Sequence, residues 1–211
     1  MLAGYGIAFM LLKKHFFKNK FINSNKVEFK KVLLVNDDKN TEVGNPTVEG
    51  ALVEGLVLDN IRDTKITKAL SLSDAGIVMG FRDKFEKIEE YGIDMIFCNY
   101  DEAIAFSGKE TLEEAINFFK NSSYMIAITV GSKGSIVIKD GEAIVSPAVE
   151  INPIDTNGAG DMFAGAFMHA MLNGKGLHEC GAFANLAASK IVQTFGPRLK
   201  KEEYQNLIEN L

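Results

Sequence analysis

Between Asp155 and Ala166 the chain reads D-T-N-G-A-G-D-M-F-A-G-A, an order of residues that leaves the backbone little choice. A carboxylate is followed by the tight turn Gly158-Ala159-Gly160, and a second carboxylate, Asp161, stands where a helix should begin. The helix is expected from Phe163, Phe167, Ala170 and Met171, whose spacing forms one apolar face. A helix start leaves backbone N–H groups without intrahelical partners, and the helix dipole makes that end partly positive. Glycine lets a ligand come close because no Cβ stands in the way. These features together describe an anion site suited to phosphate oxygens. A carboxylate in the first helical turn could take a proton from an attacking hydroxyl. Ordinary helix capping would use the same residues, so the motif by itself leaves both readings open.

Other phosphate-binding templates fail. No G-x-x-x-x-G-K-[ST] occurs, since Lys109 and Lys175 follow a glycine but precede Glu110 and Gly176. Read as G-x-G-x-x-G, the last position is Phe163, which excludes the dinucleotide fingerprint. The three histidines, His15, His169 and His178, have neither metal nor triad spacing.

With 211 residues the chain can bury a hydrophobic core. Its 46% apolar and 24% charged content is that of a soluble globular protein. A net charge of −5, with no basic cluster beyond Lys13, Lys14, Lys18 and Lys20, argues against a nucleic-acid partner. Cys98 and Cys180 both lie in apolar segments, which implies reduced, buried thiols in a cytoplasmic protein, with a disulfide the weaker alternative. Leu2 to Leu12 is too short to span a bilayer and is read as a buried strand or helix, ahead of a weak membrane anchor. Asn121-Ser122-Ser123 matches a glycosylation sequon and is read as a loop.

The pattern of elements is that of an α/β chain. Val32 to Val35, Ala69 to Leu72, Ile93 to Cys98 and Tyr124 to Val130 read as strands. The last is continuously apolar, as in a central parallel strand covered on both faces. Ala51 to Leu58 is a further apolar run, with Glu49-Gly50 and Glu54-Gly55 beside and within it. Helical spacing appears at Phe81, Phe85 and Ile88, over Leu112–Lys120, over Leu177–Thr194 and at the C-terminus over Glu202–Leu211. Cys180, Ala184, Ala187 and Ile191 share a face in the third of these, and Gly196-Pro197 closes it. Ile136–Ile138 and Ala143–Val145 form a hairpin across Asp140-Gly141. Asn99 and Glu102 follow the strand ending at Cys98; by spacing alone they are a helix cap, and by position a site at a strand's carboxyl end. Asn185, in an apolar helix, is either a packed structural amide or a ligand contact.

D-T-N-G-A-G-D-M-F-A-G-A-F closely resembles the C-terminal signature of the ribokinase (pfkB-type) carbohydrate and nucleoside kinases, D-T-x-G-A-G-D. The resemblance makes Asp161 the catalytic base and the backbone of Gly158, Ala159 and Gly160 the anion hole for the transferring phosphoryl group. Asp155 and Thr156 would lie where many relatives hold a monovalent cation such as K+. Asn99 and Glu102 match the family's N-x-x-E motif, associated with Mg2+ and phosphate, the glutamate acting through water. Thr129, Gly131 and Gly134 match its T-x-G-x-x-G segment beside the nucleotide. Phe183-Ala184-Asn185-Leu186-Ala187-Ala188 matches the segment that lines the nucleobase pocket. Ser71-Leu72-Ser73-Asp74 and Gly196-Pro197-Arg198-Leu199 resemble the adenosine-kinase-like branch.

The resemblance implies a three-layer, ribokinase-like α/β domain with a mostly parallel central sheet. It implies transfer of the γ-phosphoryl group of ATP to a hydroxyl of a sugar or nucleoside, adenosine-like as a first expectation, with neither nucleic acid nor membrane as partner. Matching segments run from about Leu70 to the end, so residues 61–211 are expected to form the nucleotide-binding and catalytic part. Residues 1–60 are expected to be a divergent or truncated region: the family's Gly-Gly-x-x-x-Asn acceptor segment has no counterpart here, and the 60 residues leave little room for lid and sheet together, so a lid is expected to be absent or incomplete. The rival expectation is a non-catalytic nucleotide-binding or interaction protein lacking a complete acceptor site.

Overall fold

In the computed structural model, residues 7–13, 32–35, 66–72, 74–85 and 88–209 are described. Their strands are β1 (Ile7–Lys13), β2 (Val32–Val35), β3 (Ile66–Ser71), β4 (Met95–Asn99), β5 (Met125–Thr129), β6 (Ser135–Lys139) and β7 (Glu142–Ser146). Their helices are α1 (Ala75–Gly80), α2 (Arg82–Phe85), α3 (Tyr100–Ser107), α4 (Leu112–Phe119), α5 (Ala159–Leu172), α6 (Leu177–Ile191) and α7 (Lys201–Glu209). The strands form one sheet in the order β2-β1-β3-β4-β5-β6-β7. Helical connections link β3, β4 and β5, the crossover pattern of a parallel sheet, while hairpin-type pairing borders it. The expected α/β class is therefore the observed one. The Glu-Gly pairs at 49–50 and 54–55, the run 51–58, Ser73 and any lid lie outside the described residues.

The backbone divides into two compact units, with β4 running through both. In the first, β1 pairs antiparallel with β2 (Ile7 opposite Val35) and with β3 (Phe9 opposite Leu70). The apolar run near the N-terminus is thus a strand over Ile7–Lys13. Helix α1 is capped by Asp74, whose backbone is extended and whose carboxylate accepts the N–H groups of Gly76 and Ile77 at 2.8 and 3.1 Å. The sequence spacing pointed to a helix through Phe81, Phe85 and Ile88. Phe81 is instead a turn residue, Arg82–Phe85 forms the single helical turn α2, and Ile88–Tyr91 is a 3₁₀ turn, with residues 86–87 outside those described. Gly76 and Gly80 weaken the helical signal of α1, and the strong N-cap compensates.

The second unit carries the buried strands. Ile126 and Ile128 of β5 are fully buried, as the apolar run demanded. On its β6 side, however, β5 pairs antiparallel (Ile126 opposite Ile138, Thr129 opposite Ser135), so that ladder is not a parallel one. β6 and β7 form the expected hairpin, with Asp140 at φ 51° and Gly141 at φ 83°, the left-handed pair a two-residue turn needs. Helix α6 packs on α5 and against β6 and β7. Cys180, Ala184, Ala187 and Ile191 are all buried along it. A Cβ on Gly181 would meet Ser146 Oγ at 2.5 Å, so glycine is what lets α6 approach the hairpin. On α5, Phe163 and Phe167 are buried and contact the Phe97 ring edge-on, with centroids 6.4 and 5.7 Å away. Burial of each such side chain contributes about 1.5–3 kcal/mol.

Both cysteines are buried free thiols. Burial, aided by the charge of Glu179, pushes the Cys180 thiol up to about 11. No helix among the described residues is long and apolar enough to cross a membrane.

Candidate active site

The turn before α5 is set by its first glycine. Gly158 caps the helix in the left-handed region, φ 78° and ψ 1°, where other residues are strained. A Cβ there would lie 2.9 Å from Pro197, so the Gly196-Pro197 turn covers this face of the motif. Ala159 and Gly160 open the helix, and Asp161 follows in its first turn with an exposed side chain. The Gly160 amide thus belongs to the helix start, among the N–H groups that intrahelical bonding leaves over. Gly160 has no positive φ, and a Cβ placed on it would meet nothing within 4 Å. Among the described residues, neither strain nor crowding requires glycine at that point. Space kept open over the amides of a helix start is what a close-approaching anion needs.

Asp155 fastens this turn to the end of α6. One carboxylate oxygen accepts the Asn157 N–H at 2.9 Å, and the other accepts the Gly196 N–H at 2.9 Å. The backbone N–H groups of Ile154 and Asp155 both reach the Val192 carbonyl. The Asn157 amide first, and the Gly196 amide second, hold the Asp155 carboxyl below its ordinary range, against a small opposing effect of burial. Thr156 is exposed, and its carbonyl accepts the Ala159 N–H at 3.3 Å. The role of Asp155 as a staple between two segments was not legible in the motif; its signal was the Gly-Pro turn 41 residues further on.

Asn99 ends β4, two residues beyond Phe97, while Asp161 stands two residues before Phe163. The Phe97–Phe163 contact therefore brings the carboxyl end of β4 and the amino end of α5 to the same side of the second unit. Ligands of open α/β sheets collect at such strand ends. Thr129 belongs there too, its hydroxyl donating to the Cys98 carbonyl at 3.5 Å. Glu102 is buried in the first turn of α3 and falls in the other compact unit.

Gly131 and Gly134 bracket a 3₁₀ turn between β5 and β6, both with positive φ (56° and 96°). Gly134 is packed so closely on Ser146–Ala148 that no Cβ could be accommodated. Asn185 is buried on α6, and its side-chain amide donates to the carbonyls of Ser146 and Pro147 at 2.9 and 3.1 Å. Of the two readings the sequence left for Asn185, the packed structural amide is the one these bonds describe. Gly134 and Asn185 thus converge on one strand end, Ser146-Pro147, which they hold from two sides. His169 is half-buried, its Nε2 3.3 Å from Asn173 Nδ2 and its ring tilted on Phe183. Burial holds its imidazole below the ordinary range, as for a helix residue used in packing.

Among the described residues no cluster of three or more His, Cys, Asp or Glu side chains is arranged to hold a metal directly.

Comparison with known proteins bears on family and fold. Residues 21–203 match the model of the pfkB family carbohydrate kinases. Adenosine kinase 1 of Arabidopsis thaliana is 32% identical over 145 residues, which cover 60% of this chain and 41% of that protein. The ribokinase of the same plant is 36% identical over 114 residues, covering 49% of this chain and 30% of its own. The crystal structure of adenosine kinase from Sinorhizobium meliloti superposes with a TM-score of 0.63 at 29% identity, over 68% of this chain and 44% of that one. This chain spans less than half the length of each of these relatives. With the family model covering most of its length and a ribokinase-like α/β fold beneath it, the chain belongs to the pfkB family of carbohydrate kinases.

Proposed function

We propose that this chain is an ATP-dependent phosphotransferase whose acceptor is a hydroxyl of a sugar or nucleoside. The observation that carries the proposal is the turn before α5: a left-handed Gly158, an uncrowded Gly160 and an exposed Asp161 in one helical turn. Amides of residues 158–161 bind and orient the phosphoryl oxygens, and they hold that charge as it grows toward the transition state. Asp161 accepts the proton of the acceptor hydroxyl. A magnesium ion, when bound with ATP, neutralises phosphate charge, and Asn99, at the carboxyl end of β4, is the residue of this unit that would hold its water shell. Asp155 and Thr156 are the residues that would face a monovalent cation such as K+.

Adenosine-like nucleosides are the first acceptor to test. That preference rests on Ser71-Leu72-Ser73-Asp74 and Gly196-Pro197-Arg198-Leu199, and on adenosine kinases being among the relatives. A second reading, a nucleotide-binding protein without turnover, is favoured by the lack of any Gly-Gly pair in the sequence. ATP consumption with magnesium, measured against a panel of sugars and nucleosides beside ATP-binding calorimetry, separates the two. Turnover with one acceptor supports the kinase; ATP binding without turnover on any of them supports the second reading.

A further inference from the structure

Asparagine precedes glycine twice in the chain, at Asn157-Gly158 and Asn173-Gly174. Such pairs are open to an intramolecular reaction, because glycine places no side chain in the path of attack on the asparagine amide. Two things decide whether it proceeds in a folded protein: whether the glycine N–H is free to react, and whether the asparagine side chain can swing over it.

Both asparagines are exposed, and the two pairs differ on the first count. At Asn173 the side chain donates to the His169 carbonyl at 2.8 Å, and the Gly174 N–H is held by the Met171 carbonyl at 3.0 Å. At Asn157 the residue is exposed. The Gly158 N–H finds no acceptor among the described residues, although the amides on either side of it do, Asn157 on Asp155 and Ala159 on the Thr156 carbonyl. The Asn157 side chain also interacts with the Asp155 carboxylate, which is half-buried and already accepts the Asn157 and Gly196 N–H groups.

We infer that Asn157 is a site of spontaneous deamidation in the native chain and that Asn173 is protected. The Gly158 nitrogen attacks Asn157 Cγ. The new N–Cγ bond forms as the Cγ–Nδ2 bond breaks, and ammonia leaves with the Gly158 amide proton. Water then opens the cyclic imide at either carbonyl, leaving aspartate or isoaspartate at 157 with no net oxidation or reduction. Either product adds a carboxylate beside the Gly158–Asp161 amides and removes the Asn157 side-chain amide. An ageing molecule would therefore present a more negative entrance to the anion site, and the isoaspartyl form would lengthen the turn by one backbone atom.

The test follows the full-length chain by peptide mapping with mass spectrometry during incubation in mildly alkaline buffer, native and in denaturing urea. The native chain is expected to convert Asn157 about tenfold faster than Asn173, the factor held back by one or two ordinary hydrogen bonds. In urea, where those bonds are gone, the two rates should converge. Equal native rates, or a native Asn157 that stays intact while the urea-treated chain converts, would overturn the inference. Neither readout depends on whether the chain transfers phosphate.

Discussion

Two glycines and two aspartates carry the account at the residue scale, and each makes a separable prediction. Gly158→Ala forces a side chain into a left-handed conformation and against Pro197, and should destabilise the fold by about 1–3 kcal/mol in urea unfolding. Gly160→Ala meets open space inside a helix start, so its stability should hold or rise by up to about 1 kcal/mol. Its affinity for ATP should nonetheless fall, because the added methyl occupies the approach to the amides. If ATP affinity is untouched by Gly160→Ala, the open space is not a ligand's. Asp155 predicts a pH effect. Its folded pKa lies below the ordinary 3.8, so its stabilisation is complete above that value and is lost as pH falls through the lowered one. Asp155→Asn should therefore flatten the acid limb of the stability curve below about pH 4 and leave the neutral region's slope unchanged. Gly181 was a plain glycine in the sequence, and Gly134 stood out only through the T-x-G-x-x-G resemblance. Only the backbone of Ser146–Ala148 and the Ser146 side chain, brought close by the fold, explain why neither tolerates a Cβ.

Elements were legible in the sequence where burial was one-sided and periodic. The α6 face of Cys180, Ala184, Ala187 and Ile191, the strand at β5 and the Asp140-Gly141 hairpin followed from spacing and turn chemistry alone. Helix α1 did not, since Gly76 and Gly80 weaken its signal and the N-cap of Asp74 stands in for it. The direction of β5 against β6 was equally hidden, because a strand buried on both faces reads alike in parallel and antiparallel ladders. The candidate site showed the same division. Asp161 and its glycines announce themselves in one short motif, whereas the Asp155–Gly196 staple joins segments far apart in the chain. Asn185→Leu tests the element-level role given to that side chain. It removes two bonds to the Ser146 and Pro147 carbonyls inside the protein and should cost about 1–3 kcal/mol in unfolding experiments. A stability unchanged by Asn185→Leu would return that amide to the role of ligand contact.

For the whole molecule, fold and family agree. The central claim is that the turn before α5 joins an anion site to a base, with the two functions on different atoms: backbone amides for one, the Asp161 carboxylate for the other. The most direct test compares the natural chain with Asp161→Asn, an exchange of similar shape at an exposed position. ATP affinity by calorimetry and phosphoryl transfer to the best acceptor would be measured on both. The account predicts that transfer is lost while ATP binding stays within about a factor of a few, because the amides are untouched. Transfer that survives in Asp161→Asn would contradict the assignment of the base, and ATP binding that collapses with it would contradict the division of labour.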